Sequence, residues 1–312
     1  MVPLKPPRLR PGDLIALVSP ASTIADPSRI DRAVRYLEGL GYRTTVGKSV
    51  LSCLGYLAGT DEERTADLHD AFTNPQVKAI FCIRGGYGTP RILSMLRYPL
   101  IARNAKILMG YSDITALALA LWRKTGLVTF HGPMAGVDMA DPMDAFTEEL
   151  CWRVLTTPSK VGAIQFPDVP AAALVPGRAA GRLLGGNLAL LVSSMGTPYV
   201  PDLRGSILFI EDIGEEPYRI DRMLAQLRNA RILPSCAAIL GGQFTDCGPK
   251  DTTKPSLTLE EVLRDAARSA GRPFLAGLPF GHEARKMTIP VGIRARVDAG
   301  AGKLEYLEAA VR

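Results

Sequence analysis

The strongest constraint on the fold is a recurring unit: a short, almost unbroken apolar run followed by a segment with helical spacing. Such runs occur at Asp13-Leu-Ile-Ala-Leu-Val-Ser19, Lys78-Ala-Ile-Phe-Cys-Ile83, Lys106-Ile-Leu-Met-Gly110 and Val128-Thr-Phe-His131, then at Ser206-Ile-Leu-Phe-Ile210 and Ala237-Ala-Ile-Leu240. They are too short for ordinary helices and lack the alternation of a half-solvated strand, so they read as strands covered on both faces. The intervening segments supply the cover. Asp26-Pro27 opens a helix whose Ile30, Ala33, Val34 and Leu37 share one face before Gly41 ends it. Thr60-Asp-Glu-Glu63 is a capping box at the head of a second helix, with Ala66, Leu68, Ala71 and Phe72 behind it. Strands alternating with helices predict a parallel sheet in an α/β layer.

At 312 residues the chain exceeds one ordinary domain. The stretch 165–177 is rich in Pro and Ala and has no sustained period, which predicts a linker. The expected division is an N-terminal domain at 1–160, a linker at 161–178 and a smaller mixed α/β domain at 179–312. In the second part, Pro217 starts a helix with Ile220, Met223, Leu224 and Leu227 on one face and Glu215 and Glu216 in its first turn. Another helix is expected from about Thr258 to Ser269, and alternating runs at 295–299 and 303–307 predict short closing strands.

Apolar residues make up 47% and charged residues 22%, which suggests neither disorder nor a membrane protein. The proline-broken N-terminus has no signal-peptide core, so a cytoplasmic location is expected. The net charge of +6 is scattered among acidic residues, and no basic stripe with interleaved aromatics is present, so no nucleic-acid partner is expected. Five cysteines without a Cys-x-x-Cys pair predict neither a disulfide framework nor a zinc site. Only His69, His131 and His282 can supply an imidazole. His69, next to Asp70 in the second helix, reads as a surface residue, and His131, ending a strand, as a structural hydrogen-bonding residue.

Ligand sites in parallel sheets lie beyond the carboxyl ends of strands. Arg84-Gly-Gly-Tyr-Gly88 lies at one such end, where glycine backbone can form an anion-binding concavity or simply a tight turn. Gly110-Tyr-Ser-Asp113 lies at another. Ser112 there either caps the following helix or is lifted out as a nucleophile beside free helix N–H groups. Glu211 follows four apolar positions, so its carboxylate must face a cleft or be paired if buried. His282 closes the glycine-punctuated stretch Gly277-Leu-Pro-Phe-Gly-His282. These three side chains comprise a nucleophile, a base and an orienting acid, although spacing alone does not bring them together.

Gly110-Tyr-Ser-Asp113, Arg84-Gly-Gly-Tyr-Gly88, Gly185-Gly-Asn187, the run from Ile210 to Arg222 and Pro279-Phe-Gly-His282 resemble, in order, the signature segments of the LD-carboxypeptidase family. That family includes murein tetrapeptide carboxypeptidases and the immunity hydrolases that inactivate microcin C. The resemblance implies an N-terminal domain similar to class I glutamine amidotransferases, a smaller C-terminal domain and usually a homodimer. It implies a cofactor-free serine hydrolase with Ser112 as nucleophile, His282 as general base and acid, and Glu211 orienting the imidazole. The oxyanion donors would be the backbone amides of Asp113 and Gly86. The implied substrate is a murein tetrapeptide cut between an L-centre, such as diaminopimelate, and terminal D-alanine; the alternative is an aminoacyl-nucleotide conjugate. Arg84 and Arg219 are positional candidates for the substrate carboxylate, with pairing of Arg219 to Glu215 or Glu216 equally open. Trp122 and Trp152 both fall in expected helices, which leaves no evident aromatic platform for a base.

Overall fold

A computed structural model describes residues 2–166 and 171–312. The strands are β1 (Leu14–Val18), β2 (Arg43–Val46), β3 (Val77–Cys82), β4 (Ile107–Met109), β5 (Thr129–His131), β6 (Gly162–Ile164), β7 (Ala172–Val175), β8 (Arg178–Asn187), β9 (Ile207–Ile213), β10 (Ala238–Thr245), β11 (Phe274–Ala276), β12 (Ile289–Val291), β13 (Arg294–Asp298) and β14 (Lys303–Tyr306). The helices are α1 (Ser28–Gly39), α2 (Asp61–Thr73), α3 (Thr89–Ile92), α4 (Tyr98–Arg103), α5 (Ile114–Thr125), α6 (Ala145–Thr156), α7 (Leu188–Ser193), α8 (Pro217–Asn229) and α9 (Leu259–Ala270).

The apolar runs become buried strands divided between two sheets. The first has the order β12-β5-β4-β3-β1-β2, with β1 to β5 parallel and β12 antiparallel to β5. The second has the order β6-β14-β13-β8-β9-β10-β11-β7, with a parallel centre from β8 to β11. The α/β expectation holds for both. The capping boxes at Thr60 and Thr258 form as the sequence dictates, each with Ser/Thr-type side-chain acceptance at the third helical N–H and a glutamate reaching back.

Several expectations are corrected. β9 does not stop before Glu211 but runs through it to Ile213, because Asp212 and Ile213 still pair with β10. Glu215 and Glu216 precede α8 instead of occupying its first turn, since Pro217 takes the first helical position where its missing N–H costs nothing. His69 is buried, its Nε2 accepting the Arg97 N–H at 3.0 Å at the start of α4, where a backbone donor would otherwise lack a partner. Within the stretch 161–178, β6 and β7 pair at opposite edges of the second sheet, positions that tolerate proline-rich neighbours; residues 167–170 lie outside the described residues. The cysteines are free thiols, Cys53 exposed and the other four buried.

The two sheets meet near the carboxyl ends of β4 and β8. Asn187, the last residue of β8, donates its backbone N–H to Thr115 Oγ1 on α5 at 3.0 Å. Its side chain caps α7 and donates to Asp212 Oδ1 at 2.9 Å, so one residue fastens α5, α7 and β9 together. Burial raises the Asp212 carboxyl to about 6, with its N–H and amide donors pulling in the other direction.

Candidate active site

Ser112 lies between β4 and α5 with φ at 62°, a left-handed conformation that costs a residue with a Cβ about 1–2 kcal/mol. The expected cap at Ser112 is not formed. Asp113, not Ser112, precedes the first helical residue, and no side-chain cap bond is made there. Ser112 contributes its carbonyl, which accepts the Thr115 N–H at 2.9 Å, and its hydroxyl has no hydrogen-bond partner among the described residues. The strained turn is a strand-to-helix elbow, a geometry that presents a side chain above the sheet.

Several contacts hold the elbow. A methyl group built on Gly85 would lie 2.8 Å from Ser112 Cβ and 3.0 Å from its Oγ, so only glycine lets the 84–88 loop come this close. The buried Asp113 carboxylate accepts the Thr89 N–H at 2.8 Å, and the Asp113 carbonyl accepts the Thr89 hydroxyl at 2.5 Å. Ser22 Oγ accepts the Tyr87 N–H at 3.0 Å, while fully buried Arg64 donates to the carbonyls of Pro20 and Gly88. Burial raises the Asp113 carboxyl above its usual range, partly offset by its hydrogen bonds to Thr89. The backbone N–H groups of Gly86 and Asp113 donate to nothing among the described residues and remain available to an oxyanion.

Glu211 and His282 are brought together. His282 Nδ1 lies 2.8 Å from Glu211 Oε2, with the glutamate fully buried and the imidazole 12% exposed. With Glu211 ionised the carboxylate only accepts, which places the proton of this bond on Nδ1 and leaves the Nε2 lone pair free. Gly281 makes the approach possible: its φ is 128°, and a Cβ there would meet the Gln243 carbonyl at 3.0 Å and Glu211 Oε2 at 3.2 Å. His282 reaches the Ser112 elbow through Tyr111, whose ring centroid lies 5.0 Å away at 76°.

The remaining candidates fall elsewhere. His131 is buried beside the rings of Tyr111, Phe209 and Phe280, and its Nε2 has no partner among the described residues, so the expected hydrogen-bonding role is not found. Burial, with the nearby His282 and Lys286 charges, lowers it to about 3. Arg84 donates to the Thr23 carbonyl, and Arg219 lies 3.7 Å from Glu215 and over the Tyr218 ring. Trp122 is buried in α5, and Trp152 stacks on Tyr42. Sequence reading missed Tyr111, Lys286 and Asp138, which form a buried network beside His282; only the position of Tyr111 inside a quoted motif could have marked it.

Residues 15–132 match the LD-carboxypeptidase N-terminal domain, and residues 180–297 match the LD-carboxypeptidase C-terminal domain. Over 98% of its length the chain is 44% identical to a probable murein peptide carboxypeptidase of Bacillus subtilis, covering 95% of that protein. The chain belongs to the LD-carboxypeptidase family. Its structure resembles that of the muramoyltetrapeptide carboxypeptidase from Oxalobacter formigenes, with a TM-score of 0.82, 34% identity and coverage of 94% and 97% of the two chains. It also resembles MccF in complex with glutamyl sulfamoyl guanosine, with a TM-score of 0.92, 26% identity and coverage of 99% and 100%. This carboxypeptidase is therefore of the serine type, with the two-part α/β architecture of its relatives. No helix among the described residues is long and apolar enough to cross a membrane.

Proposed function

We propose that the enzyme releases terminal D-alanine from murein tetrapeptides, cutting the amide that joins it to an L-centre such as diaminopimelate, in cytoplasmic cell-wall recycling. The observation that carries the catalytic part of this reading is the 2.8 Å Glu211–His282 pair packed against the residue that precedes Ser112. In this reading His282 Nε2 takes the Ser112 proton as Oγ attacks the carbonyl and returns it to the leaving amine. Glu211 keeps the imidazole in the required tautomer and stabilises the imidazolium. The Gly86 and Asp113 amides stabilise the tetrahedral oxyanion, a contribution of about 3–4 kcal/mol per donor. Water admitted after D-alanine leaves hydrolyses the acyl-enzyme through the same base. The division at 1–160 and 179–312 assigns the nucleophile to one domain and the base and acid to the other, and two copies form the working dimer.

The substrate part of the proposal is supported by the names of the relatives that match most of the chain, which act on murein peptides. A second reading, hydrolysis of an aminoacyl-nucleotide conjugate, is supported by the TM-score of 0.92 to MccF. Against it, both tryptophans are packed into helices and offer no face to a nucleobase. Mass analysis of products from a purified tetrapeptide and an aminoacyl-sulfamoyl nucleoside, run side by side, separates the readings. D-Alanine release at least about a hundredfold faster, in kcat/KM, than nucleoside release is the expected result, equivalent to about 2.7 kcal/mol of discrimination; the reverse preference replaces the first reading by the second.

A further inference from the structure

The Glu211 contact fixes one edge of the His282 ring, and a ring held at one atom can still swing about that bond. The edge of Tyr111 lies beside the ring, 5.0 Å away centroid to centroid. Tyr111 immediately precedes Ser112 and is itself buried, so its ring and the serine hydroxyl are displaced together or not at all. The Tyr111 hydroxyl accepts a hydrogen bond from the Lys286 ammonium at 3.0 Å. That ammonium is 2.5 Å from Asp138 Oδ1, and the Asp138 Oδ2 accepts the Met134 N–H at 2.7 Å. The Lys286 backbone N–H donates to Thr147 Oγ1 at 2.8 Å, which anchors the residue to α6.

One ammonium thus joins the residue before Ser112, the loop that follows β5 and the fourth residue after His282. The side chains of Lys286 and Asp138 are 3% and 9% exposed. Desolvating such a pair generally returns little stability compared with well-packed apolar residues of the same volume. Neither group reaches the glutamate–imidazole pair, and nothing in the chemistry of acyl transfer consumes their charge. Their evident use is geometric.

We propose that Lys286 is a positioning residue: paired with Asp138, it clamps the Tyr111 ring so that the ring sets the place of His282 relative to Ser112. The inference rests on the catalytic assignment of Ser112 and His282. Burial, together with the Asp138 charge, keeps the Tyr111 hydroxyl well above its ordinary pKa, so it remains a neutral acceptor throughout the working pH range. A misplacement of reacting groups by 1 Å can cost about a hundredfold in rate. The clamp is therefore expected to act on turnover and not on substrate affinity.

The test compares kcat and KM for tetrapeptide hydrolysis in Tyr111→Phe, Lys286→Met and the combined variant, each normalised to serine sites counted with a fluorophosphonate probe. Tyr111→Phe removes the hydroxyl that meets the Lys286–Asp138 pair and leaves the ion pair and the ring in place. We expect kcat to fall about tenfold in Tyr111→Phe and about a hundredfold in Lys286→Met, with KM within about threefold of the parent, and the combined variant to be no slower than Lys286→Met. Should Lys286→Met fail to fold because Asp138 is left unpaired, Lys286→Gln/Asp138→Asn replaces it with a neutral pair, and the same kcat loss is expected. Parent kcat in Tyr111→Phe overturns the proposal, as does a loss that appears only in KM. Ser112→Ala is measured in parallel: persistence of its activity removes the catalytic assignment, whereas an inactive Ser112→Ala beside an unimpaired Tyr111→Phe removes the clamp alone.

Discussion

The two halves of the site are secured by opposite means. The Ser112 elbow is a strained backbone position held rigid by neighbours: the Gly85 loop against its side chain, Asp113 tied to Thr89, and Arg64 and Ser22 behind the loop. The His282 loop stores no such strain in the histidine itself; its placement comes from a glycine of unusual φ, one carboxylate and the Tyr111 edge. Ser112 is thus positioned by its own backbone and His282 by its surroundings. Substitutions should therefore separate cleanly, with backbone relief raising stability on the first side and loss of a partner lowering turnover on the second.

The largest effect is expected at the elbow. Ser112→Gly should abolish D-alanine release, by at least about a thousandfold, while thermal unfolding shows stability unchanged or raised by about 1 kcal/mol as the left-handed strain is relieved. A melting temperature several degrees lower would contradict the strained-elbow account. Glu211→Gln comes next. Its rate should fall by about a hundred- to ten-thousandfold with KM little altered, as expected when the orienting carboxylate is lost, and near-parent kinetics would take Glu211 out of the relay.

Gly281→Ala is the matching test on the histidine side. A Cβ there crowds Glu211 Oε2 and the Gln243 carbonyl in a conformation that alanine rarely adopts. Turnover should drop by about ten- to a hundredfold, and unfolding measurements should show a loss of about 1–2 kcal/mol. A fully active, fully stable variant would show that the loop does not depend on this glycine.

The smallest effect is a displacement along the pH axis. His131 is lowered to about 3 by burial and by the neighbouring positive charges. A folded-state pKa below the unfolded value of about 6.5 means a contribution that is complete above that value and lost as pH falls towards about 3. His131→Phe should shift the acid-unfolding midpoint to lower pH. Asp212, raised to about 6, acts with the opposite sign, its contribution being lost as pH rises from about 4 to about 6, and it is unchanged in His131→Phe. An unchanged acid midpoint would show that His131 is not the group resisting protonation.

Much of this site could be read from the amino-acid order because the chemistry sits where patterns break. β3, β4 and β9 announce themselves as apolar runs, and the departures from them at Arg84, Ser112 and Glu211 mark the positions of interest. β2 was illegible: Arg43-Thr-Thr-Val46 is a largely exposed edge strand and carries no apolar signal. The stretch 161–178 shows no period for a related reason, since the edge strands β6 and β7 within it need neither periodicity nor freedom from proline nearby. Arg285-Lys286 has the appearance of a solvated basic pair, and nothing local shows that the lysine turns inward to meet a partner 148 residues away. His69 failed likewise, because its burial depends on the backbone donor that α4 offers from outside its own helix.

One pairing described for the first sheet has a temporal consequence. β12 lies after the His282 loop in the chain, yet it pairs antiparallel with β5, its Ile289 opposite His131, and so closes the open edge of the sheet that carries Ser112. During synthesis the elbow half emerges first with that edge uncovered, and it stays uncovered until β12 has left the ribosome. The strand that covers it arrives directly behind His282, so protection from edge-to-edge association and the arrival of that histidine come in the same late step.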